Sequence, residues 1–132
     1  KSDPRLPFLP LLSKFIPYIA KGKSDWQDKN AVENHFSYAE YPTKAILQLT
    51  YLLEALQAAI PKVTAPALLI HARKDLGVAP ENMDLIYNQL GTADHLKNKI
   101  LLENSGHVVT RDQDKDIVFS SVLSFIKQTL SS

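Results

Sequence analysis

The stretch Pro66-Ala67-Leu68-Leu69-Ile70-His71-Ala72-Arg73-Lys74-Asp75 constrains this chain more than any other. Residues 67–70 form a continuous apolar run with a proline before it and charged residues after it. That pattern predicts a strand buried on both faces, as in a covered parallel sheet. Asp75 stands just past the strand's C-terminal end, the edge at which open α/β sheets collect ligands and catalytic groups. A second strand-then-loop follows at 99–108, where Ile100, Leu101 and Leu102 precede Glu103-Asn104-Ser105-Gly106-His107-Val108. An Asp and a His therefore each follow a predicted buried strand.

The segments around these strands predict helices. Over 42–60, Ile46, Leu49, Leu53, Leu56 and Ile60 recur at steps of three and four, the signature of a core-facing amphipathic helix. Pro42 suits its first position and Pro61 stops it. Pro80 opens a second helix with Met83, Ile86 and Leu90 as its buried face and Gly91 as its C-cap. A last helix over 113–130 carries Ile117, Val118, Val122, Phe125 and Ile126, with Asp112 as N-cap and Asp114 and Asp116 in its first turn. From residue 42 the order is helix, strand, helix, strand, helix. This alternation predicts an α/β fold of parallel strands joined by crossover helices.

Residues 1–41 read differently. Pro4, Pro7, Pro10 and Pro17 prevent a long helix there, yet Leu6, Phe8, Leu9, Leu11, Leu12, Phe15 and Ile16 demand a packing surface. Trp26, Val32, Phe36, Tyr38 and Tyr41 are scattered through a polar stretch without periodicity. The expectation is a small, mostly helical cap or lid over 1–41, contributing no central strand, and a core portion over 42–132. Two strands alone do not make a stable covered sheet, so this reading makes the chain part of a larger protein.

Composition narrows the partners. The 132 residues carry a formal net charge of +1, which gives no reason to expect nucleic acid or an anionic membrane as partner. There is no cysteine, which removes disulfides, zinc-thiolate sites and a Cys nucleophile. The apolar runs are shorter than the roughly 20 residues of a membrane span, and the first residues lack the apolar core of a signal peptide. A cytoplasmic location without a stable membrane anchor is the expectation.

An acid and a His at successive strand ends match the last two members of an acyl-transfer triad, in which the imidazole takes a proton from a serine and the carboxylate orients the imidazole. The segment 66–80, with Asp75, Val78 and Pro80, resembles the acid-bearing segment of α/β hydrolases. Leu102-Glu103-Asn104-Ser105-Gly106-His107-Val108-Val109-Thr110, followed by Asp112 and Asp116, resembles more narrowly the bacterial carboxylesterase and monoacylglycerol lipase family. Ile86-Tyr87-Asn88 fits that family's intervening helix, and acid before His fits its chain order. The resemblance covers about 42–132, with 1–41 in the position of a cap. It implies the C-terminal portion of an α/β-hydrolase fold, Asp75 as triad acid and His107 as triad base, a small-molecule ester or monoacyl lipid substrate, and no cofactor.

The chain departs from the family at one point: no Gly-x-Ser-x-Gly occurs in it. Ser105 shares the His107 loop and reads as a loop-shaping residue, with Gly106 allowing a sharp turn beside the base. Two functions follow. Either the chain supplies the acid and base of a serine carboxylic ester hydrolase whose nucleophile lies elsewhere, or it is a non-catalytic module acting in binding or assembly. A related hydrolase with another nucleophile is a third reading, which the Ser-Gly-His-Val block disfavours. In isolation, an unpaired strand edge and a bare apolar face favour self-association or pairing with a missing N-terminal half. Among the remaining polar residues, Asp75 alone also fits a plain turn residue. His71 reads as a hydrogen-bonded core histidine, His35 and His95 as surface residues, and Asp112, Asp114 and Asp116 as helix-start acids.

Overall fold

A computed structural model describes residues 6–131; Pro4 and the rest of 1–5, expected to belong to the cap, lie outside the described residues, as does residue 132. The elements run α1 (Leu9–Phe15), β1 (Tyr18–Ala20), α2 (Lys29–Glu33), β2 (Glu40–Pro42), α3 (Thr43–Ala59), β3 (Ala67–Ala72), α4 (Glu81–Gln89), β4 (Lys97–Leu102) and α5 (Lys115–Leu130). The described residues fall into two compact units, one of residues 6–22 and 36–59, the other of 23–35 and 60–131. The chain therefore crosses between units three times.

In the first unit β1 and β2 pair antiparallel, Tyr18 opposite Pro42 and Ala20 opposite Glu40. The described strands thus form two separate two-stranded sheets. The Thr43 amide donates to Pro17 O at 2.9 Å, and Lys21 Nζ lies 4.8 Å from the centre of the Tyr41 ring. This ribbon adds two three-residue strands to a stretch in which helix still predominates, and neither strand joins the parallel pair. Pro42 ends β2 instead of opening the helix, which its missing N–H permits at a strand end. α1 packs on α3. The core-facing expectation for α3 also needs correction, because Leu49, Leu52, Leu53 and Leu56 stay exposed, Leu52 by 64%. The reason is supply: the seven residues of α1 and a short ribbon cannot cover a 17-residue helix.

In the second unit β3 and β4 pair in parallel, with Ala67 opposite Lys97 and Ala72 opposite Leu102. A parallel pair needs a crossover, and α4 supplies it. Ala72, Leu102 and Val118 form the buried core, with Ile70, Ile100 and Val109 packed against it. Only the last residue of β3 is fully buried; residues 67–71 are half-buried, short of the double burial the apolar run predicts. A sheet of two strands covers each strand along one edge alone. Gly91 is not a left-handed C-cap, since no glycine among the described residues has positive φ and α4 closes at Leu90. A Cβ at Gly91 would meet Pro61 O at 2.2 Å, so glycine is required there for close backbone approach.

Candidate active site

The parallel register brings the ends of β3 and β4 level, so the loops that follow them start side by side. The Arg73 amide continues the ladder to Leu102 O at 2.8 Å. Two residues later Asp75 turns inward, with its side chain 4% exposed. Its Oδ1 accepts from the amides of Gly77 and Val78, both at 2.8 Å. Its Oδ2 lies 2.9 Å from His107 Nδ1. Burial, the largest influence on the carboxyl, works to raise its pKa. The Val78 amide, the His107 hydrogen bond and the Gly77 amide together outweigh burial and hold it below the ordinary carboxylate value.

An ionised carboxylate can only accept, so the proton shared with it belongs to His107 Nδ1. That tautomer leaves Nε2 as a free acceptor, and the His107 side chain is 55% exposed. The arrangement fixes the ring through Nδ1 and turns none of the carboxylate's bonding toward Nε2. His71 is the hydrogen-bonded histidine its sequence position suggests. Its Nε2 donates to Val78 O at 3.1 Å and lies 3.4 Å from Asp75 Oδ2. His95 is exposed, whereas His35 is half-buried with its ring 4.9 Å from that of Trp26.

The acids near α5 do more than start a helix. Asp112 is fully buried and accepts from the amides of Gln27, Asp28, Gly106 and Gln113, the shortest at 2.7 Å. Burial pushes its carboxyl up, and the Gly106, Asp28, Gln27 and Gln113 amides bring it below the ordinary value. Asp114, not Asp112, stands at the N-cap, and it makes no side-chain cap bond there. Its Oδ2 instead accepts from the Asn104 amide at 2.7 Å and from Ser105 Oγ at 3.1 Å. Ser105 Oγ in turn accepts from the Asp114 amide at 2.9 Å, so this serine is occupied in both directions and fully buried. Amides with no other acceptor outcompeted the helix for these carboxylates.

Sequence reasoning passed over Asp25. Its Oδ2 accepts from the amide of Leu76 at 2.9 Å and from the amide of His107 at 3.0 Å. Gly106 sits under this segment, where a Cβ would meet Asp25 O at 2.3 Å. Close approach, rather than a sharp turn, is what the glycine beside His107 provides. Among the described residues no group of three or more His, Asp or Glu is placed to hold a metal ion, and no helix is long and apolar enough to cross a membrane.

With this geometry in view, the likenesses to known proteins are consistent. A thermostable monoacylglycerol lipase of Bacillus sp. (strain H-257) is 31% identical over 97 residues, which cover 74% of this chain and 38% of that protein. A carboxylesterase of Bacillus subtilis (strain 168) is 27% identical over 108 residues, covering 82% of this chain and 42% of its own. Among solved structures, one from the work on LipS and LipT, two metagenome-derived lipolytic enzymes, superposes with a TM-score of 0.84 at 31% identity, over 96% of this chain and 50% of its own. The chain spans half or less of the length of each of these proteins. No family model matches the sequence.

Proposed function

Because this chain belongs to the α/β-hydrolase superfamily, with part of that fold and with esterases and a monoacylglycerol lipase as relatives, we propose that it supplies the acid and base of a serine carboxylic ester hydrolase. The observation that carries the reading is the 2.9 Å contact between Asp75 Oδ2 and His107 Nδ1 at the ends of two adjacent parallel strands. His107 Nε2 takes the proton of a serine hydroxyl as its oxygen attacks the ester carbonyl carbon. The carbonyl oxygen becomes an oxyanion. His107 then returns the proton to the departing alcohol as the carbon–oxygen bond breaks, leaving an acyl-serine. Water repeats the sequence with the same base and releases the acid. Asp75 holds the tautomer and stabilises the imidazolium throughout. Esters of moderate acyl length, such as a monoacylglycerol, are the substrate class.

The nucleophile comes from a segment not contained in these 132 residues, since no Gly-x-Ser-x-Gly is present and Ser105 is fully engaged. The chain by itself is expected to show no ester turnover above background. Supplying the nucleophile segment, by coexpression or by extension of the chain, should create hydrolysis of a short p-nitrophenyl ester. His107→Ala should then reduce kcat by roughly 10⁴-fold or more, and Asp75→Asn by about 10⁴-fold, because the three groups act as a unit. Turnover by the chain alone, or an extended chain indifferent to His107→Ala, would overturn the reading. The exposed apolar face of α3 supports a second reading, a module that associates with itself or with another polypeptide without catalysis. Continued inactivity once the nucleophile segment is supplied would favour it.

A further inference from the structure

We propose that Asp25 is a positioning residue for the Asp75–His107 pair, its carboxylate tying the acid-bearing loop to the base-bearing loop. The functional meaning rests on the reading of those two residues as acid and base; the geometry stands on its own. Both bonds end on the same oxygen, Oδ2, which takes the amide of Leu76 and the amide of His107. The first amide follows Asp75 directly, and the second is the base's own. A shift of Asp25 therefore moves both members of the pair together, and its loss frees each separately.

The segment that carries Asp25 is fastened at several independent points. Asp112 binds the amides of Gln27 and Asp28 with the same carboxylate that binds Gly106. The Gln113 side chain donates to Gln27 O at 3.1 Å, and Lys74 Nζ donates to Gln27 Oε1 at 3.2 Å. The Asp28 side chain caps α2 through the amides of Asn30 and Ala31. The missing Cβ of Gly106 lets the Asp25 backbone seat at all. A carboxylate accepting amide hydrogen bonds is a charge-assisted contact, shorter and stronger than its neutral counterpart. An asparagine can place one carbonyl oxygen at the Oδ2 position, whereas an alanine offers no acceptor. The proposal therefore orders the variants as wild type, Asp25→Asn, Asp25→Ala.

Amide hydrogen exchange by NMR on the full chain reads the geometry without turnover. In Asp25→Ala, protection at the Leu76 and His107 amides should fall about tenfold or more, as for a lost hydrogen bond of ~1.4 kcal/mol or greater. The low-field Nδ1–H signal of His107 should broaden, while the β3–β4 ladder at Ile70 and Ile100 keeps its protection. Asp25→Asn should lie between, and Gly106→Ala should lose Leu76 protection with Asp25 intact. If Asp25→Ala also loosens the ladder, Asp25→Asn decides: protection at both amides above that of the alanine variant supports the shared-oxygen geometry, and a loss equal to that of alanine overturns it. In the protein with its nucleophile present, Asp25→Ala should lower kcat by about tenfold to 100-fold with KM within about twofold, as expected for misplacement of a catalytic group. Wild-type exchange at both amides, or a normal kcat despite lost protection, overturns the proposal. An inactive wild type would refute the hydrolase reading alone, leaving the exchange data to decide the geometry.

Discussion

Asp112 concentrates more of the local order than its place near a helix start suggests. Four amides converge on one fully buried carboxylate, joining residues 27 and 28 to the loop before His107. Leaving such donors unpaired costs about 1–3 kcal/mol each, so Asp112→Ala should lose roughly 3 kcal/mol or more in denaturant unfolding. The pH dependence follows from direction alone. Asp75 and Asp112 both have folded pKa values below the ordinary one. Each therefore contributes stability that is complete above the unfolded carboxylate pKa, about 3.9, and is lost as pH falls through the lower folded value. Asp112→Asn should flatten the fall in stability below about pH 4, measured by unfolding at a series of pH values. A slope identical to wild type would show that another group governs the acid limb.

The Asp–His pair was legible because strand periodicity places both residues at one sheet edge. Asp25 was not, because its two contacts reach across 51 and 82 positions of sequence and no local pattern encodes them. A sign was present in Asp112, Asp114 and Asp116: one helix start cannot employ three acids as caps.

Among the elements, the long periodic ones emerged with their type and order intact. β3, α4, β4 and α5 all stand within a few residues of their sequence-based limits. The β1–β2 ribbon escaped notice because each strand is three residues long, and its pairing joins positions some twenty apart. α2 is a five-residue helix held by the Asp28 cap and has no apolar stripe to display. Burial was harder to read than type, since periodicity identifies an apolar face without supplying its cover. Gly91 shows the same limit, for the sequence marks a break while the structure gives its reason in Pro61. Gly91→Ala should cost about 1–3 kcal/mol through the forced backbone shift, and thermal unfolding measures it. A stabilised Gly91→Ala would mean that the segment around 61–63 yields freely.

At the scale of the whole molecule, apolar area outruns the chain's means to cover it. Leu49, Leu52, Leu53 and Leu56 line one face of α3, and Phe8, Leu11 and Phe15 add exposed surface on the first unit. Among the described residues each strand also has a single partner, leaving hydrogen-bonding edges free. Patches of this kind favour association in water. Sedimentation velocity at micromolar concentration should show species heavier than the 14.8 kDa chain. Leu52→Lys together with Leu56→Lys should shift them toward monomer. A wild-type chain that sediments as a clean monomer would contradict this expectation.

The level ending of β3 and β4 also imposes a rule of counting. From Ala72 and Leu102, aligned across the ladder, the chain reaches Asp75 in three steps and His107 in five. One added residue can displace the downstream backbone by up to about 3.8 Å, more than the full length of the bond between them. The two segments therefore behave as calibrated spacers whose tolerance is less than a single amino acid.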